Sequence, residues 1–156
     1  MKYLLIALIL ITNTIHAKTT QEEIDRITPE QLDAAMHILV DEQSKHLPRN
    51  IDNMTVLNSI SYVNKRLYSD HTVNMVEFYT VSKLTDETFN AEKVSILKGY
   101  MSDIAHNELC YDPYKLNIMS EFNISYNRSY YREDNNRFIF DNEISVKSCK
   151  TFMLTH

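Results

Sequence analysis

The residues that could do chemistry in this chain are few, and their spacing gives each a structural alternative. Ser69, Asp70 and His71 stand together, which brings a nucleophile, a carboxylate and a base within three positions. Sequence neighbours rarely form a working triad, and serine, aspartate and a following polar residue are what a turn ordinarily uses. Asp33, His37 and Asp41 follow one another four apart, so a helix would stack them on one face in the manner of metal ligands. No fourth ligand is indicated, and the ladder reads as a solvated acidic face carrying one histidine. His106 and Glu108, like His71 and Asp70, are the pairs to test for acid–base work. A histidine near a helix C-terminus is more simply favoured by the helix dipole. The single glycine, Gly99, excludes every glycine-rich phosphate loop. On these residues no catalytic set, metal site or cofactor is expected.

The compartment follows from the first residues. Lys2 precedes an apolar run over 3–11 and a polar approach to Ala17, the pattern of a cleaved secretory leader. The run is far short of the ~20 residues that span a bilayer, so no stable membrane anchor is expected once 1–17 is removed. Two cysteines in an exported chain, Cys110 and Cys149, most simply make one disulfide. Closing a loop of about 40 residues would contribute roughly 4 kcal/mol. The net charge is −5, and losing Lys2 makes the balance more acidic, so there is no electrostatic footprint for nucleic acid.

These residues need elements to position them. After a polar tether over 18–27, Thr28, Pro29 and Gln31 spell a capping box with proline at the first helical position. Leu32, Met36, Leu39, Val40 and Leu47 continue at helical spacing until Pro48. Two strands are expected over 58–68 and 73–84, in a register that sets Leu67 opposite Met75, Lys65 opposite Glu77 and Val63 opposite Tyr79. Asn90 caps a second helix over 91–109, striped by Val94, Leu97, Met101, Ile104 and Ala105. Asp112-Pro113 begins a short helical turn. A second hairpin then alternates Phe122, Ile124, Tyr126 and Tyr130 with Phe138, Phe140, Ile144 and Val146, around a turn in which Asn135 and Asn136 tolerate positive φ. Strict alternation past Val146 would put Cys149 on the polar side, so the strand must bend or end before it. The domain is taken as 28–150, with an uninformative tail over 151–156.

From Cys110 onward the chain resembles a module of small exported proteobacterial proteins, mostly uncharacterised. In these a helix ends at a cysteine and a hairpin returns to a second one. Cys110, Asp112-Pro113, Phe122, Ile124, Tyr126, Tyr130, Asp134, Phe138, Ile144, Val146 and Cys149 carry the resemblance. Ser120 and Asn135-Asn136 depart from it where glycine is usual. The resemblance implies a binding or accessory component rather than an enzyme. The order helix, hairpin, helix, hairpin predicts an α+β fold, a four-stranded antiparallel sheet with two main helices, as in cystatin-like or NTF2-like folds.

The function expected is therefore an exported, non-catalytic binding or accessory protein of the periplasm or exterior, such as a secretion or assembly factor or an immunity-type inhibitor. The alternatives are a small hydrolase using a histidine–carboxylate pair and a secreted effector. The expected register gathers Tyr62, Tyr68 and Phe78 on one face of the first hairpin, which is either covered by a helix, with the two helices on opposite faces, or left partly open as a protein-binding surface.

Overall fold

The computed structural model describes residues 26–64, 72–84 and 89–155. The leader, most of the tether, Tyr68 and the Ser69-Asp70-His71 cluster lie outside the described residues. The first helix, α1, is Pro29–Ser44. It starts as its residues dictate: the Thr28 side chain accepts from the Gln31 amide while the Gln31 side chain accepts from the Thr28 amide. A two-residue strand, β1 (Arg49–Asn50), comes next, and β2 (Thr55–Asn64) and β3 (Val73–Val81) follow. Asn90 accepts from the Lys93 amide at 2.9 Å to open α2, Ala91–Cys110. Asp112 accepts from the Tyr114 and Lys115 amides to open α3, Pro113–Glu121. Then come β4 (Ile124–Arg132), β5 (Phe138–Ile144) and α4 (Val146–Thr155). Asn136 takes φ 53° in the β4–β5 turn, in the region asparagine tolerates.

The α+β class holds, but the sheet is not the antiparallel four-stranded one expected. Among the described residues it has five strands in the order β1-β2-β3-β4-β5, and β3 and β4 run parallel. Parallel neighbours need a crossover, and α2 with α3 supplies it. Among the described residues there are four helices rather than two, because α3 runs a full nine residues and α4 replaces both the end of the last strand and the supposed tail. The start signal for α4 is a reciprocal serine pair that the alternation concealed. The Ser148 amide donates to Ser145 Oγ at 3.3 Å, and the Ser145 amide donates to Ser148 Oγ at 2.9 Å. On a helix Cys149 faces inward, and the Cys110–Cys149 disulfide ties the end of α2 to α4 with Cα atoms 5.2 Å apart.

The expected β2–β3 register is also overturned. Tyr62, not Leu67, lies opposite Met75; Ile60, not Lys65, lies opposite Glu77; Leu57, not Val63, lies opposite Tyr79. The slip is five residues at Met75 and Glu77 and six at Tyr79, across a bulge between Leu57 and Ser59, and an odd slip exchanges the faces of one strand relative to the other. Tyr62 therefore shares the Met75 face and Phe78 points the other way, so the two do not share a surface. Side-chain bonds to α1 favour the observed register: the Tyr62 hydroxyl donates to Asp33 Oδ1 at 3.0 Å and the Asn64 amide donates to the same oxygen at 3.2 Å. A bulge on β5 moves Phe138 off the Phe140 face, since Tyr130 opposes Phe140 while Tyr131 opposes Phe138. Phe138 is half exposed there, in a row with Tyr131 and Phe78 across the outer face.

All four helices contribute to a core on one face of the sheet, in two clusters. One gathers Leu32, Met36 and Leu39 of α1 with Met75, Leu109, Met119, Ile124, Ile144 and Cys149. The other gathers Leu57, Tyr79, Val81, Met101, Tyr130 and Phe140, with the Tyr79 and Tyr130 rings stacked at 4.9 Å. Between them runs a polar row. Glu77 on β3, Arg128 on β4 and Asn142 on β5 are register partners across three strands, and all are buried.

Candidate functional site

The inward parity of β3 is Val73, Met75, Glu77, Tyr79 and Val81, and that of β4 is Ile124, Tyr126, Arg128, Tyr130 and Arg132. One carboxylate, Glu77, and two guanidiniums, Arg128 and Arg132, thus fall on adjacent strands where only apolar residues would be cheap to bury, and Glu77 and Arg128 are register partners. They meet. Arg128 Nε donates to Glu77 Oε2 at 2.7 Å, and the Tyr79 hydroxyl donates to the same oxygen at 2.8 Å. Arg128 also donates to Glu108 Oε2, on α2, at 3.0 Å. Burial opposes the Arg128 charge, but Glu77, Tyr79 and Glu108 together more than offset it and hold its pKa above the usual arginine range. Burial, and then the Glu77 charge, raise the Tyr79 hydroxyl well above a free tyrosine. Tyr126, on the same parity, is pushed up to about 12, first by burial and then by Glu77.

This pair is not sealed in. A cleft of about 290 Å³ reaches it between α1 and the α2–α3 corner. Met36, Leu39, Met75, Leu109, Ile118 and Ile124 form its apolar walls; Glu77, Glu108 and Arg128 give it a charged floor; and Arg49, Gln43, Tyr114 and Lys115 also line it. Lys115 lies 4.0 Å from Glu108. Because Arg128 and Tyr79 both bond Glu77 Oε2, the carboxylate is anchored through one oxygen from two sides. Such an arrangement can anchor and orient a molecule. It contains no base beside a nucleophile.

The other candidates separate. His106 and Glu108, two apart on a helix, do not face each other. His106 is buried, its Nδ1 2.8 Å from the Ser102 carbonyl and Nε2 3.2 Å from Ser148 Oγ, with the ring stacked on Phe152 at 4.8 Å. It joins α2 to α4, while Glu108 goes to Arg128. Asp33 and His37 approach only to 3.9 Å, and Asp33 accepts instead from Tyr62 and Asn64. Among the described residues, no three histidine, cysteine or acidic side chains group as metal ligands, and no helix is long and apolar enough to cross a membrane. Both cysteines are in the bridge. Of the aromatic trio expected to bind a partner, Tyr62 bonds α1, Phe78 lies on the open face, and Tyr68 is outside the described residues. The residues that sequence reasoning missed are Glu77 and Arg128, and the signal was present as charge on the apolar parity of two strands.

No protein-family model matches the chain, and no curated protein matches it. Among solved structures, the pilotin EpsS of the Vibrio vulnificus type 2 secretion system superposes with a TM-score of 0.48 at 18% identity, covering 78% of this chain and 94% of that one. A Pseudomonas aeruginosa protein provisionally described as secreted superposes with a TM-score of 0.57 at 12% identity, covering 78% of this chain and 95% of that one. That second likeness makes this chain a protein of the same fold.

Proposed function

We propose that the protein is an exported, non-catalytic binding protein that holds a short segment of another polypeptide, in the manner of a secretion or assembly factor. The observation that carries this reading is the cleft: apolar walls from three helices and two strands converge on a fixed, buried Glu77–Arg128 pair. At about 290 Å³ it falls just below the range of small-ligand pockets, about 300–1,000 Å³. It therefore suits one or two side chains of a segment. Export rests on the leader over 1–17 and accords with the buried disulfide, a bond that persists in oxidising compartments. An immunity-type inhibitor would bind in the same sense, with a toxin as its partner.

A second reading places the partner on the outer face, where Phe78, Tyr131 and Phe138 form a partly exposed aromatic row with centroids 6.1 and 5.6 Å apart. One experiment separates the two. A photo-crosslinking side chain is placed in living cells at Tyr114, on the cleft, or at Phe78, on the outer face. A discrete adduct from position 114 and none from 78 supports the cleft. The reverse hands the function to the aromatic row, and no adduct from either sinks both.

A further inference from the structure

We infer that the guest of this cleft is a peptide segment carrying a carboxylate beside a large apolar side chain. The inference rests on the reading of the cleft as a polypeptide site and names the chemistry of what enters it.

The charges lining the cleft are Arg49, Glu77, Glu108, Lys115 and Arg128. Four of them are occupied with one another. Glu77 is bonded to Arg128, and Glu108 bridges Arg128 and Lys115. Arg49, exposed on β1, meets no carboxylate among the described residues. The cleft thus presents three cations against two carboxylates, in a chain whose overall charge is −5. A basic guest would have to displace an internal ion pair to find a partner, whereas an acidic guest finds Arg49 without disturbing anything. Planar guanidinium also matches a carboxylate in two-pronged geometry.

The apolar half of the guest follows from the walls. Met36, Leu39, Met75 and Ile124 are nearly fully buried and Ile118 partly so, and two of these five are methionines, whose unbranched chains adapt to varied shapes. The volume takes one or two leucine-sized side chains. Gln43, exposed and on the cleft lining, offers an amide to a main chain. Apolar walls with charge beside them suit a segment-binding site, in which the charge supplies selectivity and the buried apolar contact supplies affinity.

The test is a selection of displayed random twelve-residue peptides on three purified, oxidised proteins: wild type, Arg49→Lys and Arg49→Glu. On the wild type, enriched peptides should place aspartate or glutamate within a few positions of leucine, methionine or phenylalanine. A winner made synthetically should bind Arg49→Lys within about threefold of wild type and Arg49→Glu about tenfold more weakly, with affinity falling as salt rises. Changing its acidic residue to the amide should cost several-fold on wild type and nothing on Arg49→Glu. Arg49 is exposed on a two-residue strand, so melting curves should be unchanged, and binding should be abolished by Ile118→Arg. Enriched peptides that block at Ile118 but are neutral or basic would overturn the inferred chemistry and leave the cleft as a polypeptide site. Displacement of the winner by equimolar decanoate would likewise overturn it in favour of a free amphipathic acid. No enrichment, or peptides indifferent to Ile118→Arg, would overturn the polypeptide reading itself.

Discussion

Removing Arg128 while leaving Glu77 in place is the perturbation that weighs the buried pair most directly. Arg128 is 5% exposed and Glu77 7%, so Arg128→Met strands a carboxylate with one remaining donor, the Tyr79 hydroxyl. Breaking a buried pair from one side costs about 3–5 kcal/mol. The retained hydrogen bond and the cleft's access to water place the expected loss near the lower end, about 3 kcal/mol. The opposite single change should cost less. In Glu77→Gln the amide oxygen still accepts from Tyr79, and Arg128 keeps Glu108 at 3.0 Å, so about 1–2 kcal/mol is expected. Replacing both, Glu77→Leu with Arg128→Met, removes the stranded charge and should recover most of the loss. Against a domain stability of about 5–15 kcal/mol, these differences are easily read in equilibrium urea unfolding followed by far-ultraviolet circular dichroism. The chain has no tryptophan to report instead. The slope should stay constant while the midpoint moves. If Arg128→Met fell within about 1 kcal/mol of wild type, or Glu77→Gln proved the worse single change, the pair would not be the buried anchor described above.

Three further outcomes are expected. The oxidised protein should weigh two protons less than its reduced form, and Cys110→Ala with Cys149→Ala should lower stability by up to about 4 kcal/mol; two freely alkylated thiols in exported protein would refute the bridge in the cell. Tyr130, 2% exposed, is pushed up to about 12 from an ordinary 10.0, first by burial and, among the upward causes, next by Glu77. Its folded pKa is the raised one, so its contribution is complete below pH 10 and lost as pH climbs towards 12, at most about 3 kcal/mol. Ultraviolet titration of wild type against Tyr130→Phe should show that the missing tyrosine ionises only as circular dichroism reports unfolding, and a difference between the two that lies near pH 10 in the folded protein would contradict it. N-terminal sequencing of exported protein should begin near Lys18, and an intact Met1 in the membrane fraction would remove both the leader and the compartment argued from it.

What was legible in the sequence was whatever acts over a few residues. The Thr28–Gln31 box, the Asn90 and Asp112 caps, the positive φ at Asn136 and the apolar stripes of α1 and α2 each depend on neighbours within a turn. The disulfide was legible for another reason, since two cysteines allow one pairing. The β2–β3 register was not, because both strands are apolar on both parities. The decision fell to Asp33, some thirty positions away on α1, whose carboxylate accepts from Tyr62 and Asn64. Alternation from Phe138 to Val146 looked unbroken only because a bulge and a helix start happen to preserve its period. Ser145 and Ser148 carried the stop signal, and serine on a polar parity draws no attention.

The cleft is the consequence of the feature the sequence least disclosed. Had the two hairpins met antiparallel, a helix could have lain along each and closed over the sheet. Because β3 and β4 are parallel, the chain must leave the end of β3 and return to the start of β4 through α2 and α3. Those helices pack towards β4 and β5, as the neighbours of Met101, Ala105 and Met119 show, while α1 packs on β2. The seam between the two groups opens over the β3–β4 junction. Glu77 and Arg128 are register partners there, the one row of the inner face where a side chain on each of the two parallel strands carries charge. Here the pair meets a cleft, and a buried charge pair with an opening beside it is a place where a guest can exchange water for protein.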